Sequence, residues 1–258
     1  MYERIKSVYK DSEVGEFLKR GASFTYRGFI RKGMPIMGYE EMNGVKIGGW
    51  DIRLGDKILP SWLTPFHIGN TDSRYEDSLI EAIDQNVRKG DKVVVIGGGY
   101  GVTSVKIGKK IGPSGNLVIF EASRDMVEKI VSTMRINNIQ CNYNVNESIV
   151  EKNISVRGNK ERNEINRVKA SSLPECDVVE MDCEGAEIEI LKNMEIRPRN
   201  ILVESHGMYG ASTDKVISKL NDIGYEVMSV NPADGRDHGF CVENDIKVVS
   251  SRRVHDNE

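Results

Sequence analysis

From Tyr75 onward, short continuous apolar runs alternate with stretches whose apolar residues recur at helical spacing. The runs cover residues 93–96, 117–120, 178–181 and 201–204, with a weaker one at 142–145. Continuous apolar runs of this length suit strands buried on both faces. Between them the spacing predicts helices over 75–86, 102–110, 124–136, 186–194 and 212–223. In the first of these, Leu79, Ile80 and Ile83 share a face, and Thr71 or Asp72 is expected to cap it. Ser212 or Thr213 is expected to cap the last, with Asp214 favouring its N-terminal dipole. Residues 225–230 and 246–249 read as two final strands joined by a polar loop without a helix, hence an antiparallel pair at one edge. Strands separated by helices form parallel βαβ units with right-handed crossovers. The expected fold class is therefore α/β, a doubly wound and mostly parallel sheet of seven strands.

The first 74 residues break this rhythm. They are rich in glycine and aromatic residues and lack long periodic runs. Ile5, Val8 and Tyr9 line one face of a short opening helix. Asn43-Gly44 favours a two-residue hairpin turn, because both positions need positive φ. Short strands are expected around residues 33–59. Residues 1–74 read as an N-terminal extension or cap, and residues 75–258 as the main domain. The polar stretch 151–168 reads as a surface insertion, with a strand at Val168.

Composition narrows the function classes. The chain has 258 residues, 39% hydrophobic and 29% charged, as in ordinary globular domains. The formal net charge of -3 gives no global field to attract nucleic acid or anionic lipid. Cys141, Cys176, Cys183 and Cys241 form no C-x-x-C pair and no zinc spacing with histidine, so free thiols in a reducing cytoplasm are expected. No apolar run approaches the roughly 20 residues that span a bilayer. The opening residues carry acids and no apolar signal-peptide core. A cytoplasmic protein without membrane or nucleic-acid partners is expected.

The candidate chemistry begins where the first buried run ends, in Val93-Val94-Val95-Ile96-Gly97-Gly98-Gly99-Tyr100-Gly101-Val102. A glycine loop between strand and helix allows positive φ and a close approach of backbone to ligand. Gly97, Gly99 and Gly101 are spaced G-x-G-x-G, with Gly98 between the first two. The dinucleotide pattern G-x-G-x-x-G fails from every start: Val102, Tyr100 or Ser104 occupies a required glycine position. The spacing instead resembles motif I of class I methyltransferases, E/D-x-G-x-G-x-G, with Val95 in place of the leading acid. Glu121 ends the second run, 20 residues after Gly101, where an acid can accept hydrogen bonds from ribose hydroxyls. Ala122 and Ser123 line the same edge. Asn146 and Glu147, after the third run, are expected to address an adenine. Tyr100 is placed to orient a methionine moiety or to cover the loop.

The fourth run ends in Met181-Asp182-Cys183-Glu184-Gly185-Ala186-Glu187. Here the chain resembles the FkbM family of methyltransferases, whose signature is a strand ending in D-x-E-G-A-E. Tyr75-Glu76 at the opening of the first helix, the lead into motif I, residues 201–206 and residues 224–227 extend the likeness. It spans about residues 75–230. The resemblance implies a Rossmann-like fold, S-adenosyl-L-methionine as cofactor, Glu76 among its contacts, and O-methylation of a sugar or small-molecule hydroxyl. Asp182 emerges at the carboxyl end of a parallel strand, where open α/β sheets bind ligands. It is placed to bind the methionine ammonium or to face the acceptor. Glu184 is placed for either role or to cap the following helix, and Glu187 reads as structural.

Asp182 and His206 are the candidate catalytic groups, His206 as general base because imidazole titrates near neutral pH. His67 and His238 are placed for a lid, and His255 is given no role. Convergence of Asp182, Glu184, Glu204 and His206 on a metal is an alternative that the spacing does not require, and no metal is expected. Two other readings compete: an NAD-dependent oxidoreductase, which leaves the Asp182–Glu187 run unexplained, and a noncatalytic adenosine-ligand-binding protein, favoured by Val95.

Overall fold

The computed structural model describes residues 40–48, 52–54, 57–59, 71–151, 166–235 and 237–254. The expected opening helix, His67, His255 and most of the 151–168 insertion lie outside these residues. The Asn-Gly pair behaves as its sequence predicts. Strands β1 (Glu40–Met42) and β2 (Val45–Ile47) flank Asn43 and Gly44, whose φ values are 48° and 73°. Strands β3 (Ile52–Leu54) and β4 (Lys57–Leu59) pair antiparallel, Ile52 opposite Leu59. The chain divides into two compact units, residues 1–40 with 50–70, and residues 41–49 with 71–258. The β3–β4 pair belongs to the first. In the second, β5 (Thr71–Asp72) runs parallel to β1.

The larger unit holds α1 (Asp77–Asn86), β6 (Lys92–Ile96), α2 (Val102–Ile111), β7 (Asn116–Glu121), α3 (Arg124–Ile136) and β8 (Asn142–Glu147). Then come β9 (Ile149–Val150), β10 (Arg167–Val168), β11 (Val178–Met181), α4 (Glu187–Asn193), β12 (Asn200–His206), α5 (Thr213–Asp222), β13 (Tyr225–Pro232), α6 (His238–Glu243) and β14 (Ile246–Arg253). Seven strands form one sheet in the order β13-β14-β12-β11-β6-β7-β8. The pairs β8–β7, β7–β6, β6–β11 and β11–β12 are parallel, and β14 is antiparallel to both its neighbours. This is the doubly wound, Rossmann-like sheet that the alternation of runs predicts. The chain enters at β6, builds outward through β7 and β8, then returns to build outward from β11. The order therefore reverses between β6 and β11, and the crevice outside such a switch point is where open α/β sheets bind ligands.

Alternation along the strands sets the core. Val94, Ile96, Val179, Met181, Ile201 and Val203 pack with Ile190, Leu191, Val216 and Leu220 of α4 and α5 into one apolar cluster. Val93, Val95, Val178 and Glu180 occupy the alternate positions, on the opposite face.

Three expectations about element ends need correcting. Thr71 and Asp72 are in β5, and α1 begins only at Asp77, after Glu76 in the left-handed region at φ 51°. Ser212 stands at the N-cap of α5 but makes no side-chain cap bond. The Thr213 amide instead donates to Asp245 Oδ2 at 2.9 Å, from a residue distant in sequence. The last connection is not helix-free, since it contains α6. This six-residue helix buries Cys241 and leaves Phe240 and Val242 exposed, so no apolar face signals it in the sequence. All four cysteines are free. Among the described residues no helix is long and apolar enough to cross a membrane.

Candidate functional site

The glycine loop separates two tasks. Gly97, the first residue past β6, has φ 92°, and a Cβ there would lie 1.7 Å from the Asp182 carbonyl oxygen. Glycine here lets the ends of β6 and β11 lie against each other. A Cβ on Gly98 would meet Ile130 Cδ1 at 2.5 Å and Ile119 Cγ2 at 2.8 Å, so this position packs on the core. Gly101 is the left-handed N-cap of α2, and its amide donates to the Gly98 carbonyl at 2.8 Å. Gly99, at φ 48°, differs from all three: no atom of the described residues lies within 4 Å of where its Cβ would stand. Its open side faces a cavity. Of the expected contacts, Gly97, Gly99 and Tyr100 line that cavity, whereas Gly98 and Gly101 shape the loop.

The cavity has a volume of about 380 Å³ and lies at the carboxyl ends of β6, β7 and β11. Glu121, Ala122 and Ser123 line it as expected from the end of β7. Glu121 Oε1 accepts the Ser123 amide at 2.7 Å and Oε2 the Gly99 amide at 3.2 Å. Burial pushes the Glu121 carboxyl up, and these amides only partly oppose it. Asn146 and Glu147 do not line the cavity. They are the last residues of β8, which stays in register with β7 up to the Glu121–Glu147 pair. Asn146 Nδ2 donates to the Ile119 carbonyl at 3.3 Å, and Glu147 is exposed. The wall there comes from Ser148, Ile149 and Val150. The strand outlasts its apolar stretch, so the sequence placed its exit two residues early. Phe120 and Met126 also line the cavity without having been singled out, as do Tyr75 and Cys183, which stand in the quoted motifs but were given no role. Phe120 and Met126 flank Glu121 closely in sequence, a signal that was available.

The charge of the lining is one-sided. Glu76, Glu121, Asp182 and Glu184 contribute carboxylates, and among the described residues no lysine, arginine or histidine lines the cavity; the Lys129 Nζ stands outside it, 5.2 Å from the Tyr100 ring centroid. The Tyr75 phenol is held well above its ordinary range by burial and by Glu76 beside it. Its ring lies 6.1 Å from that of Tyr100.

Behind the lining lies a second cluster. Glu184 and Gly185, at φ 49° and 111°, turn the chain sharply from β11 into α4. This turn aims Glu184 at the cavity, while Ala186 occupies the N-cap of α4, so Glu184 does not cap that helix. Glu187, the first residue of α4, is fully buried. Its Oε1 lies 2.7 Å from His206 Nδ1 and accepts the Gly185 amide at 3.1 Å. His206 Nε2 stands 3.5 Å from Asp182 Oδ1 and 3.6 Å from Glu204 Oε1. Burial lowers the His206 pKa, but the bond to Glu187 and the charge of Asp182 outweigh it, and the net shift is upward. Asp182 and Glu204 are both pushed up, chiefly by burial. Neither His206 nor Glu204 lines the cavity; they stand behind Asp182. The fold thus brings together Asp182, Glu204 and His206 from the four residues considered for a metal, and sends Glu184 elsewhere. His238, at the start of α6, is exposed and does not line the cavity.

Val95, in the place of the motif I acid, pairs in register with Glu180 of β11. Register partners share a face, so a carboxylate is present one strand over. Glu180 is fully buried, neither of its oxygens has a hydrogen-bond partner, and burial holds its carboxyl well above the ordinary range.

The fold and site define a doubly wound α/β protein with an acidic cavity at its topological switch point. No family model matches the chain, and no curated protein matches it in sequence. Solved structures do resemble its fold. A SAM-dependent methyltransferase from Aquifex aeolicus is 13% identical with a TM-score of 0.44, over 70% of this chain and 90% of that one. A ribosomal protein L11 methylase from Lactobacillus delbrueckii subsp. bulgaricus is 10% identical with a TM-score of 0.48, over 70% and 79%. Aeropyrum pernix fibrillarin, in complex with bound S-adenosyl-L-methionine, is 15% identical with a TM-score of 0.43, over 64% and 68%.

Proposed function

We propose that this chain is an S-adenosyl-L-methionine-dependent methyltransferase acting on a hydroxyl of a sugar or other small molecule. The observation that carries this reading is the acidic lining beside the open face of Gly99. Four carboxylates, with no basic side chain among the described lining residues, favour a ligand bearing a sulfonium and an ammonium, and disfavour the anionic pyrophosphate of NAD. The cradle suits the cofactor in shape as well. Backbone without a Cβ at Gly99 admits close approach, and Glu121, oriented by the Gly99 and Ser123 amides, keeps lone pairs for ribose hydroxyls. Phe120, Met126 and Ile149 offer apolar walls for a base. The D-x-E-G-A-E run at Asp182 to Glu187 supports membership of the FkbM family and, with it, a hydroxyl acceptor.

When bound, the cofactor supplies an activated methyl group, and the protein's part is positioning, exclusion of water and removal of one proton. Asp182 fits the last task. It reaches the cavity, its carboxyl is raised by burial, and its Oδ1 faces His206. In this reading the acceptor's proton passes to Asp182, and His206, pinned by Glu187, is a positioning residue. His206→Ala is expected to lower kcat by about 100-fold or more, at the lower end of what acid–base assistance supplies. Affinity for S-adenosylhomocysteine should stay within about twofold, since His206 lies outside the cavity. Unchanged turnover would remove His206 from the mechanism.

Isothermal titration tests the reading itself. S-adenosylhomocysteine should bind one equivalent per chain, and NADH should give no heat. Saturable NADH binding, or no response to S-adenosylhomocysteine, defeats the proposal.

A further inference from the structure

We infer that Asp182, Glu204 and His206 form a binding site for one divalent transition-metal ion, zinc first among them. The site lies immediately behind the cavity wall and does not depend on the identity of the cofactor. Its three donor atoms all lie within 4.8 Å of one another. They come from the ends of β11 and β12, adjacent parallel strands.

The orientation of His206 is the first argument. Its Nδ1 is 2.7 Å from Glu187 Oε1, so in the neutral ring the proton resides there and the Nε2 lone pair faces outward. That lone pair meets Asp182 Oδ1 at 3.5 Å and Glu204 Oε1 at 3.6 Å, which are acceptors too. A single cation between them would satisfy all three converging acceptors at once. The spacing suits a metal: two ligands of a tetrahedral zinc ion, with bonds of about 2.1 Å, stand about 3.4 Å apart. A histidine whose far nitrogen is fixed by a buried carboxylate is also the recurrent arrangement at metal centres, where it sets the tautomer and raises ligand basicity.

The second argument comes from carboxylates outside the donor set. Glu180 lies two residues before Asp182, whose charge bears on it, and Glu180 in turn bears on Glu204. It is fully buried with both oxygens unpartnered, and Glu187 Oε2 is buried without a partner as well. Among the described residues, no lysine or arginine forms an ion pair with Glu180, Asp182, Glu187 or Glu204. Without a cation, burial favours the neutral carboxyl; a bound cation is what would let Asp182 and Glu204 ionise together. One proton on Nε2 would offset a single carboxylate, whereas a divalent ion offsets two and satisfies all three donors at once. An imidazole nitrogen with two carboxylates selects zinc or manganese over magnesium and calcium, which prefer all-oxygen sites. Three protein donors leave a coordination position for water.

The test is titration of the full chain, stripped with chelator, followed by calorimetry. Wild type should take up one zinc ion per chain, with magnesium far weaker. Glu204→Gln, which keeps shape and removes charge, should weaken zinc binding by about 100-fold or more, and Glu187→Gln by about 10- to 100-fold. Circular dichroism checks that each variant is folded. Should a variant fail to fold, cobalt substitution of wild type decides: a visible ligand-field spectrum of one bound ion per chain supports the site. A folded wild type that takes up no zinc and no cobalt, or a folded Glu204→Gln that binds zinc as wild type does, overturns it. S-adenosylhomocysteine titrated into the same stripped protein reports the cofactor reading separately, so the two proposals fail independently.

Discussion

Gly99→Val is expected to weaken S-adenosylhomocysteine binding by about 100-fold or more, equivalent to about 2.7 kcal/mol, while leaving the domain folded. Among the described residues no atom lies within 4 Å of the Cβ position, so the new methyl groups meet none of them there. They occupy the volume where a bound nucleoside would contact bare backbone. The cost to the fold is the left-handed φ of 48°, which strains a β-branched residue by about 1–3 kcal/mol. For a chain of this size that is a fall in Tm of roughly 2–12 °C. Gly99→Asn provides the control, because asparagine tolerates left-handed φ. It should recover most of the stability and still bind poorly. Retention of wild-type affinity in the valine variant would show that the cavity beside Gly99 is not the cofactor site.

Gly97→Ala should do the reverse in kind, harming the fold first. Only one methyl is added, two residues away, yet it would stand 1.7 Å from the Asp182 carbonyl oxygen. That oxygen is backbone and cannot swing aside. The φ of 92° adds to the penalty for any side chain. Separating the ends of β6 and β11 would break the alignment in which the Asp182 amide donates to the Ile96 carbonyl at 2.9 Å. A loss of about 3 kcal/mol or more is expected, in the range of severe overpacking. Denaturant unfolding measures it directly. A stability within about 0.5 kcal/mol of wild type would show that the two strand ends are looser than this geometry states.

These paired outcomes mark how far the sequence could be read. The glycine spacing announced a loop between strand and helix, but not which glycine served which purpose. Gly97, Gly98 and Gly101 are required by neighbours in space: the Asp182 carbonyl, Ile130 with Ile119, and the α2 cap. Gly99 alone is open. Glu121 was legible because it ends the buried run that follows the glycine loop; of its two amide partners Ser123 is local, whereas Gly99 is 22 residues away and only the fold supplies it. Asn146 and Glu147 were misplaced because β8 is half exposed on an edge, where apolar pattern no longer tracks strand length. The Asp245 bond to the start of α5 was invisible for a related reason, since nothing local signals a partner 32 residues away.

Periodicity and the turn residues determined the alternation of strands and helices, the Asn43-Gly44 turn, and the placing of a glycine loop and two acids at strand ends. Those features follow from local backbone geometry and from burial of both sheet faces, which leave their mark residue by residue. The tertiary structure alone decided that Glu180 stands beside Val95, that Glu184 lines the cavity while His206 does not, and that Glu187 fixes the imidazole. Each of these depends on register between strands far apart in the chain. Register is set by the packing of the whole sheet, so no window of sequence contains it.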